Sequence, residues 1–228
     1  MKEQGLYNPL FEHENCGAGF ICSLEGKKTN DIISKALNIL TCLEHRGAVS
    51  SDGRTGDGAG ILIEIPNNFF KKECKFELPE FKEYAVGMVF LPPKKNQLNY
   101  CLDIFEEEIK RQGLNIIGWR DVPVNSKVVG AIASQSQPNI KQVFIGKIDS
   151  NQTEKDFLLK LYIARKIAEN KIYQSKLSQK SFFYFSSLHN KTIIYKGLLV
   201  PEDIERFYID LKNPMLVTRL ALVHQRFS

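Results

Sequence analysis

The chain has 228 residues, of which 43% are hydrophobic and 25% charged, and its formal net charge is +5. This composition is typical of a globular protein with a sizeable core. Lysines and arginines are scattered and mixed with acids, which argues against a nucleic-acid-binding face. No apolar run approaches the ~18 residues of a membrane helix, and the N-terminus lacks the apolar segment of a secretory signal. We therefore expect neither a nucleic acid nor a membrane as a partner.

The cysteines carry a second compositional signal. There are five of them, and no two have the C-x-x-C spacing. This pattern predicts free thiols in a reducing compartment rather than a disulfide framework or a zinc site. Cys42 and Cys101 fall in apolar helical patterns, so we expect both to be small core residues.

The first half of the sequence alternates strand and helix patterns. A short alternating or apolar run predicts each strand, and apolar residues three and four positions apart predict each helix. In chain order the predicted elements are a strand at 16–24, a helix at 29–44 opened by Thr29-Asn30-Asp31, a glycine-rich loop at 44–60, the strands ILIEI and YAVGMVFL, and a helix at 97–111.

The second half repeats these patterns, and Thr153 with Asp156 resembles a capping box. In chain order it predicts the strands LNIIGWRDV and KQVFIGKI, a helix at 153–173, a hairpin of SFFYFSSL and KTIIYKGLLV around His189-Asn190, a short helix from Pro201, and the final strand LALVHQRFS. Mixed strands and helices without an internal repeat predict an α+β layered domain. Because the sequence stops directly after an apolar strand, we expect it to be incomplete at its C-terminus.

Cys16 carries the strongest chemical signal. It is preceded by a polar, loop-like segment and followed by Gly17-Ala18-Gly19. If residues 1–15 were removed, its thiol would lie beside its own α-amine, which makes a self-contained nucleophile and base. The usual pKa values of the two groups, ~8.5 and ~8, are close enough for proton exchange near neutral pH. The alternative, a buried strand cysteine without chemistry, stays open on the residues alone.

The glycine-rich loop at 44–60 has a superficial likeness to a phosphate-binding loop in its TGDGAG stretch. It lacks the G-x-x-x-x-G-K-[ST] spacing, so a tight multi-turn loop packed on the next strand is the better interpretation. Arg46 comes directly after the first helix. Its side chain either satisfies the last carbonyls of that helix or braces a site.

Arg226 stands at the end of an apolar strand, which is an unusual place for a guanidinium. It either pairs with a buried acid or faces a cleft and forks a carboxylate ligand. His224, two residues earlier, is more typical of a hydrogen-bonded core histidine. Trp119-Arg120-Asp121 predicts a core aromatic residue beside a local Arg–Asp pair.

Taken together, the motifs resemble the N-terminal part of the large subunit of glutamate synthases. The matching pieces follow the family's order and cover the chain nearly end to end: LYNPLFEHENCGAGF, LEHRGAVSSDGRTGDGAGILIEIP, YAVGMVFLP, GWRDVPVN, KGLLVPEDIERFYIDL and LALVHQRFS. The resemblance implies a class-II glutamine amidotransferase domain of the N-terminal-nucleophile type, with a four-layer αββα sandwich of two antiparallel sheets.

The resemblance also implies the roles of individual residues. Cys16 takes the position of the catalytic cysteine, exposed when a propeptide at 1–15 is removed, and the domain at 16–228 continues beyond this sequence. Arg226 takes the position of the arginine that holds the glutamine α-carboxylate, and Arg46 lies near the site. The oxyanion-hole Asn-Gly pair of the family comes after Ser228. Losing one such donor typically costs ~3–4 kcal/mol, so we expect little activity from these residues alone.

By the same resemblance, glutamine is hydrolysed to glutamate and ammonia, and ammonia passes to a synthase domain that acts on 2-oxoglutarate. FMN and an iron–sulfur cluster belong to that domain, and no cofactor is expected in this segment. The electron donor is NADPH, through a small subunit, or ferredoxin. The location is the cytoplasm, or the plastid stroma if the gene is plastid-encoded. Two alternatives stay open: a stand-alone N-terminal-nucleophile amide hydrolase, and a non-catalytic remnant that binds glutamine or a partner.

Overall fold

The computed structural model describes residues 17–149 and 151–226. Within them, strands and helices follow one another with short connections, and four 3₁₀ turns lie at Glu44–Arg46, Ser126–Val128, Lys180–Phe182 and Ile209–Lys212. The elements in chain order are β1 Gly17–Cys22, α1 Asn30–Cys42, β2 Ala59–Glu64, α2 Asn67–Glu73, β3 Tyr84–Leu91, α3 Lys95–Arg111, β4 Leu114–Asp121, α4 Ala131–Ser134, β5 Asn139–Lys147, α5 Glu154–Gln174, β6 Tyr184–His189, β7 Thr192–Gly197, α6 Asp203–Phe207 and β8 Leu220–Gln225.

The strands form two four-stranded sheets. The first has the order β1-β8-β2-β7 and the second β4-β5-β3-β6, and the neighbouring strands in both are antiparallel. The last strand of the chain, β8, is therefore inserted between β1 and β2. This insertion brings the two ends of the described chain together.

Two hydrophobic clusters hold the layers together. One lies between the sheets and includes Ile61 of β2, Phe144 of β5 and the buried face of α1. The other lies on the far side of the second sheet, where α3 and α5 pack against residues such as Val143 and Ile145. The predicted α+β sandwich of two antiparallel sheets is confirmed. None of the helices in the described segments is long and apolar enough to cross a membrane.

Local signals explain most of the helix boundaries. The Thr153 hydroxyl accepts a hydrogen bond from the Asp156 backbone N–H at 3.2 Å and donates to its carboxylate at 2.6 Å. This is the predicted cap of α5, and it satisfies one of the N–H groups left free at a helix start. Two short helices, α2 and α4, were not predicted because neither has a full apolar repeat.

The predicted hairpin of β6 and β7 is wrong in its pairing, because the two strands belong to different sheets. The chain turns at Asn190 and crosses from the second sheet to the first. Serine side chains replace part of the missing ladder: the Ile194 N–H donates to the Ser187 hydroxyl at 3.1 Å, and the Ser186 hydroxyl donates to the Ile194 carbonyl at 3.0 Å. Strands that change sheet in this way form the corner of a sandwich.

The cysteine prediction is confirmed for Cys101, which is buried, and wrong for Cys42, which is exposed. The buried residues of α1 include Ala36 and Leu40. Cys42 lies two positions after Leu40, which places it on the opposite side of a helix with 3.6 residues per turn. Among the described residues, Cys22, Cys42, Cys74 and Cys101 are free thiols.

The predicted local pair of Arg120 and Asp121 is also wrong. Neighbouring side chains on a strand point to opposite faces. Arg120 instead pairs with Asp210, at 2.8 Å, and Asp121 pairs with Lys141. Trp119 is partly buried, and its indole N–H donates to Glu106 at 2.7 Å.

Candidate active site

The start of β1, the start of β2 and the end of β8 lie side by side at one end of the first sheet. Gln225, the last residue of β8, pairs with Gly17 of β1 on one side and with Ala59 of β2 on the other. Gly17 is the residue attached to Cys16, and Arg226 directly follows Gln225. The fold therefore brings Arg226 to the end of the sheet at which β1 begins.

The backbone at Arg226 leaves the strand in a left-handed conformation, with φ of 75°. This region is unfavourable for residues other than glycine. The Arg226 N–H donates to the Gly58 carbonyl at 2.7 Å, which holds the turn against the loop before β2.

The side chain of Arg226 pairs with an acid, the first of the two alternatives expected for it. Its Nε lies 3.5 Å from Oδ2 of Asp57. The side chain is nevertheless 49% exposed, so its guanidinium is also accessible to a ligand.

Sequence patterns indicate the loop at 44–60 but do not identify Asp57 within it as a candidate site residue. Its backbone N–H donates to the Ala48 carbonyl at 3.0 Å, which fixes it within the loop. Both carboxylate oxygens are buried, and neither accepts a hydrogen bond from any residue in the described segments. A buried carboxylate is costly unless it is paired. An acid between two glycines, in TGDGAG, is the signal that could have found it.

The buried side chain of Gln225 lies over Gly47. A Cβ added to Gly47 would be 2.0 Å from the Gln225 Nε2 and 3.1 Å from the Asp57 Oδ1. Real Cβ atoms essentially never show contacts under 3.0 Å, so a larger residue at position 47 would force the Gln225 side chain to move. The HRG element thus packs its glycine against both Gln225 and Asp57.

Arg46 closes the 3₁₀ turn after α1, and its backbone N–H donates to the Leu43 carbonyl at 2.8 Å. Its exposed side chain runs past the start of β1. A Cβ added to Gly17 would lie 3.1 Å from the Cβ and 3.2 Å from the Cγ of Arg46. The aliphatic stem of Arg46 therefore lies against Gly17, the residue that follows Cys16, and its role as a brace of the site stays a prediction.

The loop at 44–60 makes several internally hydrogen-bonded turns, as predicted. Val49 and Gly56 form an isolated β-bridge within it. The Asp52 carboxylate accepts hydrogen bonds from the backbone N–H of Ile132 at 3.0 Å and from the hydroxyl and N–H of Thr55 at 2.6 and 2.8 Å. These bonds hold the pKa of Asp52 well below its usual range. They also tie the loop to α4.

Cys16 and the segment 1–15 lie outside the described residues, so the nucleophile and the propeptide stay predictions. His224 is partly buried and lies opposite Ala18 of β1 and Gly60 of β2.

A family model of class-II glutamine amidotransferases matches residues 16–228. The chain belongs to the class-II glutamine amidotransferases. The family match begins at Cys16, and it covers Arg46, Asp57 and Arg226. The resemblance that the motifs carry is therefore confirmed at the level of the family.

Curated relatives of this class-II amidotransferase chain include glutamate synthases from distant organisms. It is 46% identical over 228 residues to the glutamate synthase [NADPH] large chain of Bacillus subtilis. It is 41% identical over 240 residues to the glutamate synthase [NADH] of Saccharomyces cerevisiae, and 39% identical over 226 residues to the chloroplastic ferredoxin-dependent glutamate synthase 2 of Arabidopsis thaliana. The alignments cover 98–100% of this chain but only 11–15% of the relatives.

Proposed function

We propose that this chain is the glutaminase part of a glutamate synthase and that Cys16 is its nucleophile. The observation that carries the proposal is that the class-II family match begins at Cys16. The sheet register supports it, because Gly17 pairs with Gln225 of β8 and Arg226 directly follows Gln225. A nucleophile and an anchor for the substrate are thus supplied by opposite ends of the sequence.

In this mechanism the α-amine of Cys16, freed by removal of residues 1–15, takes the proton of the thiol. The thiolate attacks the side-chain amide carbon of glutamine and forms a tetrahedral oxyanion. Collapse of this intermediate breaks the C–N bond, and the α-ammonium returns the proton to the departing ammonia. Water then attacks the thioester, which releases glutamate and restores the thiol.

Arg226 binds the α-carboxylate of glutamine in this proposal. A guanidinium matches a carboxylate with two parallel N–H donors, and the half-exposed side chain is open to such a ligand. Arg46 keeps the start of β1 in place through its packing on Gly17.

In the full-length enzyme, ammonia is proposed to pass to a synthase part that converts 2-oxoglutarate to glutamate, with FMN and an iron–sulfur cluster. The described residues contain no group of three or more His, Cys, Asp or Glu side chains that could hold a metal ion. We place both cofactors on the synthase part. The proposed electron donor is NADPH, NADH or ferredoxin, since the printed names of the relatives give all three. The proposed location is the cytoplasm, or the plastid stroma for a plastid-encoded protein.

The test uses the full-length enzyme and its Cys16→Ala variant. Glutamine-dependent glutamate formation should be abolished, while ammonia-dependent formation should stay largely intact because the synthase part is untouched. Mass spectrometry of the purified wild-type enzyme should find Cys16 as the first residue. Retention of Met1, or an equal loss of both activities in the variant, would overturn the proposal.

A further inference from the structure

Asp57 is a partly buried acid that the proposed mechanism does not use, and its carboxylate lies beside Arg226. We propose that Asp57 is a positioning residue for Arg226: it holds one edge of the guanidinium and leaves the other edge to bind the substrate carboxylate. This inference rests on the proposed function, in which that carboxylate belongs to glutamine.

The pairing geometry allows both partners at once. Asp57 approaches Arg226 at Nε, with its Oδ2 3.5 Å away. A guanidinium has five N–H donors arranged along its edges. An acid at the Nε edge leaves the edge formed by Nη1 and Nη2 for a second carboxylate. The two alternatives expected for Arg226, an acid partner and a ligand, are therefore compatible.

The backbones of both residues are fixed to the same loop. The Arg226 N–H donates to the Gly58 carbonyl at 2.7 Å, and the Asp57 N–H donates to the Ala48 carbonyl at 3.0 Å. The left-handed conformation of Arg226 is held by this contact. Only the long side chain of Arg226 remains to be ordered, and Asp57 is the charged group placed to order it.

The two side chains differ in exposure in the way this role requires. Both oxygens of Asp57 are buried and, within the described residues, accept no hydrogen bond, whereas Arg226 is 49% exposed. Among the described residues, Arg226 is the cation that pairs with Asp57, and Arg226 keeps an exposed surface for a ligand. Ordering the guanidinium before glutamine binds removes part of the entropic cost of binding.

The test measures glutaminase kinetics of the full-length enzyme. Asp57→Asn keeps the shape of the side chain and removes its charge. Because Arg226 contacts a group remote from the scissile amide, we expect the KM for glutamine to rise about tenfold and kcat to change less than about twofold. In an Arg226→Gln background, where KM is already raised, Asp57→Asn should add no further increase.

Asp52→Asn is the matched control, since Asp52 lies in the same loop but bonds to Thr55 and α4 rather than to Arg226. It should lower thermal stability and leave KM unchanged. The inference is overturned if Asp57→Asn behaves like Asp52→Asn, or if its effect on KM adds fully to that of Arg226→Gln. If Arg226→Gln itself leaves KM unchanged, the substrate role of Arg226 in the proposed function fails as well.

Arg226→Lys keeps the inference testable if Asp57→Asn does not fold. A lysine ammonium has a charge but no second edge, so it cannot present separate edges to Asp57 and to substrate. We expect a KM about tenfold above wild type. A wild-type KM in this variant would overturn the inference.

Discussion

The guanidinium of Arg120 in β4 forms two hydrogen bonds of 2.8 Å with the carboxylate of Asp210. Both side chains are largely buried, with 10% and 3% exposure. Arg120 also donates to Gln142 at 2.8 Å, and the Tyr195 hydroxyl donates to Asp210 at 3.3 Å. Burial acts to lower the pKa of Arg120, but its hydrogen bonds to Asp210 more than offset this and raise it. A charged network therefore links the two sheets.

Arg120→Met should destabilise this domain by about 3–5 kcal/mol, because it leaves the Asp210 carboxylate buried without its counter-charge. Hydrogen exchange of the β5 and β7 amides in the full-length enzyme measures the loss. The double variant Arg120→Met/Asp210→Leu should recover part of it, since no charge is then buried without a counter-charge. Recovery stays incomplete because Gln142 and the Tyr195 hydroxyl lose their hydrogen bonds to Arg120 and Asp210. Equal losses in the single and double variants would contradict this account.

Gly47→Ala should impair glutamine hydrolysis more than folding. The new Cβ would lie 2.0 Å from the Gln225 Nε2 and 3.1 Å from the Asp57 Oδ1, so both side chains must shift. A displacement of about 1 Å in a site can cost on the order of 100-fold in rate, and we expect kcat/KM for glutamine to fall by at least about tenfold. Ser51→Ala, at an exposed position of the same loop, should have no effect. A wild-type kcat/KM in Gly47→Ala would show that the packing of Gly47 does not determine the geometry of the site.

Local sequence patterns predicted the long elements because capping, apolar spacing and prolines act over a few residues. Thr153 at the start of α5 is an example. Contacts between residues far apart in the sequence could not be predicted from such local patterns. Nothing local to Arg120 indicates Asp210, and nothing local to β6 indicates that β7 leaves its sheet. Motifs alone indicate Arg46 and Arg226 as candidate site residues, whereas Asp57 becomes a candidate only because the fold places it beside Arg226.

The turn between β6 and β7 should weaken in mild acid. The neutral His189 ring accepts a hydrogen bond from the Lys191 backbone N–H at 3.0 Å. Burial and then the nearby Lys191 charge lower the pKa of His189 below its usual value near 6.5. Because the open turn binds the proton more readily, the stabilisation is present above about pH 6.5 and is lost as pH falls through the folded pKa.

Hydrogen exchange of residues 187–194, corrected for intrinsic rates, should therefore be faster at pH 5.5 than at pH 7.5. His189→Gln removes the titrating group and should abolish this difference between the two pH values. The same pH dependence in the variant would assign the effect to another group.

Alkylation should separate the described cysteines into two classes. Cys22 and Cys42 are exposed, whereas burial raises the pKa of Cys74 to about 11 and that of Cys101 to about 12. The thiolate is the form that reacts, and at pH 8 a pKa near 11 leaves only about 0.1% of the thiol in that form. Iodoacetamide should modify Cys22 and Cys42 first, as measured by peptide mass spectrometry of the full-length enzyme. In urea all four should react at similar rates, because unfolding removes the desolvation that separates them. Reaction of Cys101 as fast as Cys22 in the native enzyme would contradict the packing of α3 against α5 and the second sheet.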